Sequence, residues 1–207
     1  MKAQYEDLDE YIADLRAAIE KTPDCANHLY NLGLALLSKR DFFNAEQAFL
    51  DAVRKSPRLA EAYVQLGGIC LQRGDLDGCL NYNTEAANCR PRFAIAHSNI
   101  GFVHLQRGEA EKAAQAFIKA LKWDPNFIQA QVSLAAAQYM LGNVDESISL
   151  SERSLKQEPG FGPAYNNLAI AWLEKGDGKK ALEYANLAAT NGFHVPEEFW
   201  KELEPYK

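Results

Sequence analysis

The sequence predicts an all-α protein built from a repeated helical hairpin. Three kinds of residue recur at an interval of 34 residues along its 207-residue length: helix-breaking prolines, turn-forming glycines and large aliphatic residues. The three series are Pro23, Pro57, Pro91, Pro125 and Pro159; Gly74, Gly108, Gly142 and Gly176; and Leu32, Leu66, Ile100, Leu134 and Leu168. A fixed period of this length is typical of a repeat array, in which each copy is one supersecondary unit.

Each period predicts two helices. Proline lacks a backbone donor and clashes with the preceding turn, so it ends a helix once per period. Glycine adopts a positive φ easily and therefore suits the tight turn between the two helices. In the central copy, this predicts helices over residues 94–107 and from 111 to about 123. Asp75, Asn143 and Asp177 follow turn glycines, and we expect each to cap the next helix.

Eight positions of the period carry a characteristic set of residues. Counting from Ala26, the first full copy supplies Leu29, Leu32, Gly33, Leu36, Ala45, Phe49, Ala52 and Pro57. Counting from Ala94, the third supplies His97, Ile100, Gly101, His104, Ala113, Phe117, Ala120 and Pro125. In these residues the chain resembles the tetratricopeptide repeat family. The resemblance implies a right-handed superhelical solenoid of 34-residue helix-turn-helix repeats with a C-terminal capping helix.

The resemblance also divides the chain, which we expect to form one continuous domain. Residues 1–25 would be an N-terminal partial repeat or capping helix. Repeats 1 to 5 would occupy residues 26–59, 60–93, 94–127, 128–161 and 162–195, and residues 196–207 a C-terminal capping helix. In that last helix Phe199, Trp200 and Leu203 would cover the final hydrophobic face, with a partner-binding tail as the alternative.

Several residues depart from the pattern of the period. Arg40 replaces the turn glycine of repeat 1, which predicts either a strained backbone or a different turn. Asn83 and Ser151 stand where the family prefers an aromatic residue. Ser147 and Ser154 replace alanines in repeat 4. We therefore expect repeat 4 to be the loosest part of the array.

Composition and charge narrow the range of functions. The net charge is −6, and the excess of acid lies at the ends, since residues 26–195 carry 17 acidic and 17 basic residues. Without a broad basic surface, nucleic acid is not an expected partner.

The acidic start lacks the apolar segment of a signal peptide, and no apolar run could span a bilayer, so we expect a cytoplasmic protein without a membrane span. The four cysteines show no C-x-x-C pairing, so we expect reduced thiols.

The sequence contains no catalytic signature. Phosphate-binding loops, H-E-x-x-H and the nucleophile elbow are all missing, so we expect no enzymatic activity and no cofactor. His97, His104 and Cys70 could be imagined as metal ligands. They fill packing positions of the repeat, however, and we expect core side chains there and no metal.

The resemblance implies that the first helix of each hairpin lines a concave groove. At the family's groove-facing positions the chain presents neutral amides, hydroxyls and apolar or aromatic residues. Because an amide offers both a donor and an acceptor, such a column can bind the backbone of an extended peptide. The alternative is that these amides are merely solvated. The expected partner-binding residues are Tyr30, Asn31, Leu34, Gln65, Gln72, Asn99, Phe102, Gln106, Ser133, Tyr139, Asn166 and Asn167.

The family's clamp for acidic chaperone tails needs cations at defined positions. Here those positions hold Tyr30, Leu34, Gln65, Ile95 and Asn99, so an acidic chaperone tail is not an expected partner. The sequence therefore predicts a non-catalytic adaptor or scaffold that binds an extended peptide or partner segment in its groove. A self-associating scaffold or assembly factor, active as a homo-oligomer, is the alternative.

Overall fold

The described residues of the first compact unit, Met1–Asn99, form helices. The computed structural model describes residues 7–207, so the first six residues of the predicted N-terminal helix lie outside it. The helices of this unit are α1 (Leu8–Lys21), α2 (Ala26–Ser38), α3 (Phe42–Lys55), α4 (Ala60–Gln72) and α5 (Leu76–Cys89), and α6 (Ala94–Gln106) begins in it.

The second compact unit, Ile100–Lys207, is likewise helical. It contains the end of α6, followed by α7 (Ala110–Trp123), α8 (Ile128–Met140), α9 (Val144–Gln157), α10 (Gly162–Glu174), α11 (Gly178–Thr190), α12 (Glu197–Leu203) and a 3₁₀ turn (Glu204–Tyr206). No β-strand occurs within residues 7–207.

The first helices of the five hairpins start at a constant spacing. They begin at Ala26, Ala60, Ala94, Ile128 and Gly162, each 34 residues after the one before. The predicted fold class, an all-α array of helical hairpins, is confirmed.

The turns inside the hairpins use the left-handed backbone region. Gly74, Gly108, Gly142 and Gly176 have φ angles between 72° and 80°. Arg40 takes the same place in repeat 1 with φ 59°. Of the two outcomes expected for Arg40, the structure has the strained backbone, because a Cβ in this region approaches the following carbonyl oxygen.

The side chain after the turn caps the next helix in three hairpins. The carboxylates of Asp41, Asp75 and Asp177 accept hydrogen bonds from backbone N–H groups in the first turns of α3, α5 and α11. The prediction for Asn143 is wrong, since its side chain makes no cap bond to α9. Its amide instead donates to Gln138 Oε1 at 2.8 Å, because the nearly buried Gln138 offers a competing acceptor.

An aromatic residue packed against a glycine fills the core of the first hairpin. Phe49 of α3 is fully buried, and a Cβ added to Gly33 of α2 would lie 2.5 Å from its ring. In the second hairpin the fully buried Asn83 holds the equivalent position over Gly67. Glycine in the first helix thus lets the two helices of a hairpin approach closely.

In the second unit an aromatic residue packs over a glycine in one hairpin, and the later hairpins have smaller side chains in their cores. Phe117 lies over Gly101, where an added Cβ would be 2.8 Å from the ring. In the hairpin of α8 and α9 the aromatic position holds the buried Ser151. At the end of the chain, the fully buried Leu203 of α12 packs in one cluster with Ala169, Ala181 and Ala185, accompanied by the partly buried Phe199 and Trp200.

Candidate functional site

The predicted groove residues of the first unit lie on first helices. Tyr30, Asn31 and Leu34 belong to α2, Gln65 and Gln72 to α4, and Asn99 to α6; all are partly or fully exposed. The Tyr30 ring packs at a tilt against Phe49, with 5.7 Å between centroids. Burial raises the pKa of the Tyr30 hydroxyl, the charge of Glu61 raises it further, and the polar side chain of Gln65 partly offsets the two by lowering it. Two predicted residues, Tyr30 and Gln65, therefore lie near each other.

Asn99 has a structural partner. Its Nδ2 donates to Oδ1 of Asn83 at 2.9 Å, while Nδ2 of Asn83 donates to the carbonyl of Cys79. Asn83 is completely buried, so it depends on these bonds. One of the two amide N–H groups that Asn99 was expected to offer to a peptide is thus already engaged.

The predicted groove residues of the second unit also lie on first helices: Phe102 and Gln106 on α6, Ser133 and Tyr139 on α8, and Asn166 and Asn167 on α10. Asn167 Nδ2 donates to the backbone carbonyl of Val132 at 2.9 Å, which ties α10 to α8. Asn166 differs, because its side-chain oxygen is buried and has no hydrogen-bond partner among the described residues.

A cavity of about 160 Å³ lies on the faces of α8 and α10 in the second unit. It brings together two of the predicted residues, Tyr139 and Asn167, whereas Phe102, Gln106, Ser133 and Asn166 do not line it. The remaining lining residues are Leu105, Ala136, Met140, Ser147 and Ile170. Met140 is 49% exposed, so the cavity is reached from the surface.

Ser147 is the lining residue that the groove pattern does not foresee, because it belongs to the second helix, α9. Its hydroxyl oxygen is buried without a hydrogen-bond partner among the described residues. The sequence contains a signal for it. Where repeats 1, 3 and 5 carry Ala45, Ala113 and Ala181, repeat 4 carries this hydroxyl.

The edge of this cavity is negatively charged. Glu174 follows Ile170 by one helical turn on α10, and its negative charge acts on the Tyr139 hydroxyl. Burial raises the pKa of that hydroxyl, and the charges of Glu174 and, more weakly, Glu202 raise it further. Two carboxylates therefore act on Tyr139 at this edge of the cavity.

The first unit has a larger and more open cavity, of about 400 Å³, between α3 and α4. Phe42, Phe43, Glu46, Ile69, Gln72 and Arg73 line it. Arg73 donates to Glu46 at 3.0 Å, so the charges at its wall are paired. Phe43 is 71% exposed, the most exposed of the large hydrophobic residues identified.

The histidines considered as ligands have partners within the protein. His97 Nε2 lies 2.9 Å from the carbonyl oxygen of Pro91, and His104 Nδ1 lies 2.8 Å from Glu109 Oε2. Within residues 7–207, no three His, Cys, Asp or Glu side chains are grouped so that they could hold a metal ion. None of the described helices is both long and apolar enough to cross a membrane.

Family profiles match most of the chain. One profile described as tetratricopeptide repeat matches residues 6–60 and 132–192, and a second with the same description matches residues 94–127. No curated protein sequence matches the chain significantly.

Solved structures with this arrangement of helices are numerous. YrrB, described as a TPR protein with an unusual peptide-binding site, is 20% identical with a TM-score of 0.71, over 86% of this chain and 92% of that one. PilW, described as a widely conserved type IV pilus biogenesis factor, is 20% identical with a TM-score of 0.76, over 86% and 84%. A tetratricopeptide repeat protein from Parabacteroides merdae is 20% identical with a TM-score of 0.75, over 97% and 79%. At this identity the likeness concerns the fold.

Proposed function

Because the chain belongs to the tetratricopeptide repeat family, we propose that it is a non-catalytic adaptor that binds an extended segment of a partner protein. The first helices of its hairpins would provide the binding residues. The partner's backbone would bond to side-chain amides, and its side chains would enter apolar pockets between the helices. The partner-binding residues proposed are those expected from the sequence. Asn99, which donates one N–H to Asn83, would use its second N–H and its side-chain oxygen.

The observation that carries this proposal is the cavity on α8 and α10. Tyr139 and Asn167 come from consecutive first helices and line one surface-accessible cavity together with apolar side chains. A few placed polar groups in an apolar pocket are typical of binding sites in proteins. The similarity to YrrB, a protein described by its peptide-binding site, supports the same class of ligand.

Self-association is a second candidate, favoured by the exposed Phe43 beside the larger cavity of the first unit. Exposed aromatic residues at a cavity often mark a protein interface. Light scattering across a range of protein concentrations tests this candidate. A mass that rises with concentration and returns to that of a monomer in Phe43→Ser would support it, and a monomer throughout would exclude it.

A displayed library of random peptides, selected on the purified protein, tests the adaptor proposal. Gln72→Ala and Gln106→Ala remove amides from the exposed ends of first helices. Gln47→Ala and Gln115→Ala remove equally exposed amides from second helices and are matched controls. We expect the selected peptides to bind the first pair of variants more weakly than the second pair. Equal binding to all four variants, or a selection that enriches no peptide, would contradict the proposal.

A further inference from the structure

The cavity on α8 and α10 has the chemistry to select one kind of side chain. Resting on the proposed binding of an extended partner segment, we propose that this cavity receives a lysine or arginine of that segment. The aliphatic stem would lie against the apolar walls, and the cationic group would meet acceptors and a carboxylate. This is the reverse of the cationic clamp that recognises acidic tails.

The walls suit the stem of a long basic side chain. Leu105, Ala136, Met140 and Ile170 supply apolar surface on three successive first helices. The cavity volume of about 160 Å³ is close to that of an apolar cavity of about 150 Å³ able to hold benzene. Lysine and arginine bury three or four methylene groups against such surfaces while keeping the charge in a polar environment.

The polar groups of the cavity offer hydrogen-bond acceptors. The buried Ser147 oxygen has no partner in the described structure. Asn167 donates one amide N–H to the Val132 carbonyl, and its side-chain oxygen remains available as an acceptor. An ammonium or guanidinium group carries only donors, so its hydrogen-bonding groups are complementary to these two oxygens.

The negative charge near the cavity also favours a cationic occupant. Tyr139 lines the cavity, and the negative charges of Glu174 and, more weakly, Glu202 act on its hydroxyl. Neither carboxylate forms an ion pair with a basic side chain of the described chain, whereas the neighbouring Lys175 is paired with Asp145 at 2.5 Å. Complementary charge of this kind gives specificity to a binding surface.

A purely apolar occupant fits this cavity less well. It would fill the walls but leave the Ser147 hydroxyl buried without a partner, a cost that rises when water is excluded. A side chain with a long apolar stem and a terminal cation suits both the apolar walls and the acceptors of the cavity.

Two variants test the cavity without disturbing the fold. Glu174→Gln removes the charge of an exposed residue and keeps its shape. Ala136→Leu fills the cavity, and repeat 1 already has Leu34 at this position of the period. Gly68→Leu makes a comparable change at the same position of repeat 2, where an added Cβ meets no atom within 4 Å, and is the matched control.

The probe is the set of peptides selected from the random library on the full protein. We expect a lysine or arginine at one fixed place in these peptides. Glu174→Gln should weaken their binding by about threefold to tenfold, because an exposed charge pair is partly screened. Ala136→Leu should weaken it more, and Gly68→Leu should leave it unchanged. Replacing the fixed lysine or arginine by norleucine, which removes the cation and keeps an apolar stem, should weaken binding at least as much as Glu174→Gln does.

The outcomes separate this inference from the proposed function. Selected peptides that lack a fixed basic residue, or that bind Glu174→Gln and Ala136→Leu as well as the unchanged protein, would overturn the cavity assignment alone. A selection that enriches no peptide at all would overturn both.

Discussion

Asn99 of α6 donates a hydrogen bond to the buried Asn83 of α5, with 2.9 Å between Nδ2 and Oδ1. Asn83 occupies the place where Phe49 and Phe117 fill the cores of other hairpins. A polar group at such a position is stable only when its hydrogen bonds are made. A residue of the first-helix face therefore completes the core behind it.

Removing Asn99 should destabilise the protein. In Asn99→Ala, Oδ1 of Asn83 loses its donor in a fully buried position, so we expect the free energy of unfolding to fall by about 1–3 kcal/mol. Urea denaturation followed by circular dichroism measures this change. Gln106→Ala, at an exposed position further along α6, is the control and should change stability by less than about 0.5 kcal/mol. Equal effects of the two variants would show that the pair contributes nothing.

Two helical glycines should respond in opposite directions to the same substitution. Gly33→Ala places a Cβ 2.5 Å from the buried Phe49 ring, and such overpacking costs about 1–3 kcal/mol. Gly68→Ala meets no atom within 4 Å, and it should stabilise α4 by about 0.5–1 kcal/mol because alanine restricts the unfolded chain. Melting temperatures of the two variants test whether their stabilities change in opposite directions. A stabilised Gly33→Ala would mean that the Phe49 ring moves aside at little cost.

Replacing Arg40 by glycine should stabilise the protein, because it relieves the strained backbone at this turn. Its φ of 59° costs an L-residue about 1 kcal/mol, part of which Arg40→Gly recovers. We expect the free energy of unfolding to rise by about 0.5–1 kcal/mol. Gly74→Ala is the reverse change at the equivalent turn, where φ is 80°, and should lower it by about 1 kcal/mol. If the two substitutions shift the free energy of unfolding in the same direction, the positive φ of the turn does not determine their effects.

Cys79 should make the protein less stable at alkaline pH. Burial raises the pKa of its thiol to about 11, whereas an unfolded cysteine has a pKa of about 8.5. The neutral thiol therefore contributes stability that is complete below about pH 8.5 and is lost as the pH rises towards 11. Cys79→Ala removes this dependence, and alanine occupies the same position in repeats 1, 3 and 5. Denaturation at several pH values should show the unchanged protein losing stability relative to the variant; parallel profiles would contradict the assignment.

The helices and turns could be predicted because their causes are local. A proline or a positive-φ glycine acts on its own turn, and Asp75 and Asp177 reach backbone groups three residues away. The side-chain partners could not be predicted in this way. The side chain of Asn143 could either cap α9 or bond to another side chain. Its bond to Gln138 depends on how α8 and α9 pack.

The candidate site was predictable only in part for the same reason. The period places Tyr139 and Asn167 on first helices, and the structure brings them to one cavity. Ser147 reaches that cavity from the second helix, where the repeat pattern assigns a packing role. The bond from Asn99 to Asn83 joins residues of different repeats, so no pattern within one repeat reveals it.

The serines of α9 should make this helix the least protected of the second unit. Ser151 and Ser154 are buried, and their hydroxyls donate to the backbone carbonyls of Ser147 and Leu150 at 2.9 Å. Such bonds compete with the helix, and serine buries less apolar surface than the aromatic residue and alanine it replaces. We expect amides of α9 to exchange with deuterium about tenfold faster than those of α7 and α11, which corresponds to about 1.4 kcal/mol in the free energy of opening. Ser151→Ala should slow exchange in α9 and leave α7 and α11 unaffected. Protection of α9 equal to that of its neighbours would show that the hydroxyl bonds compensate fully for the missing apolar contacts.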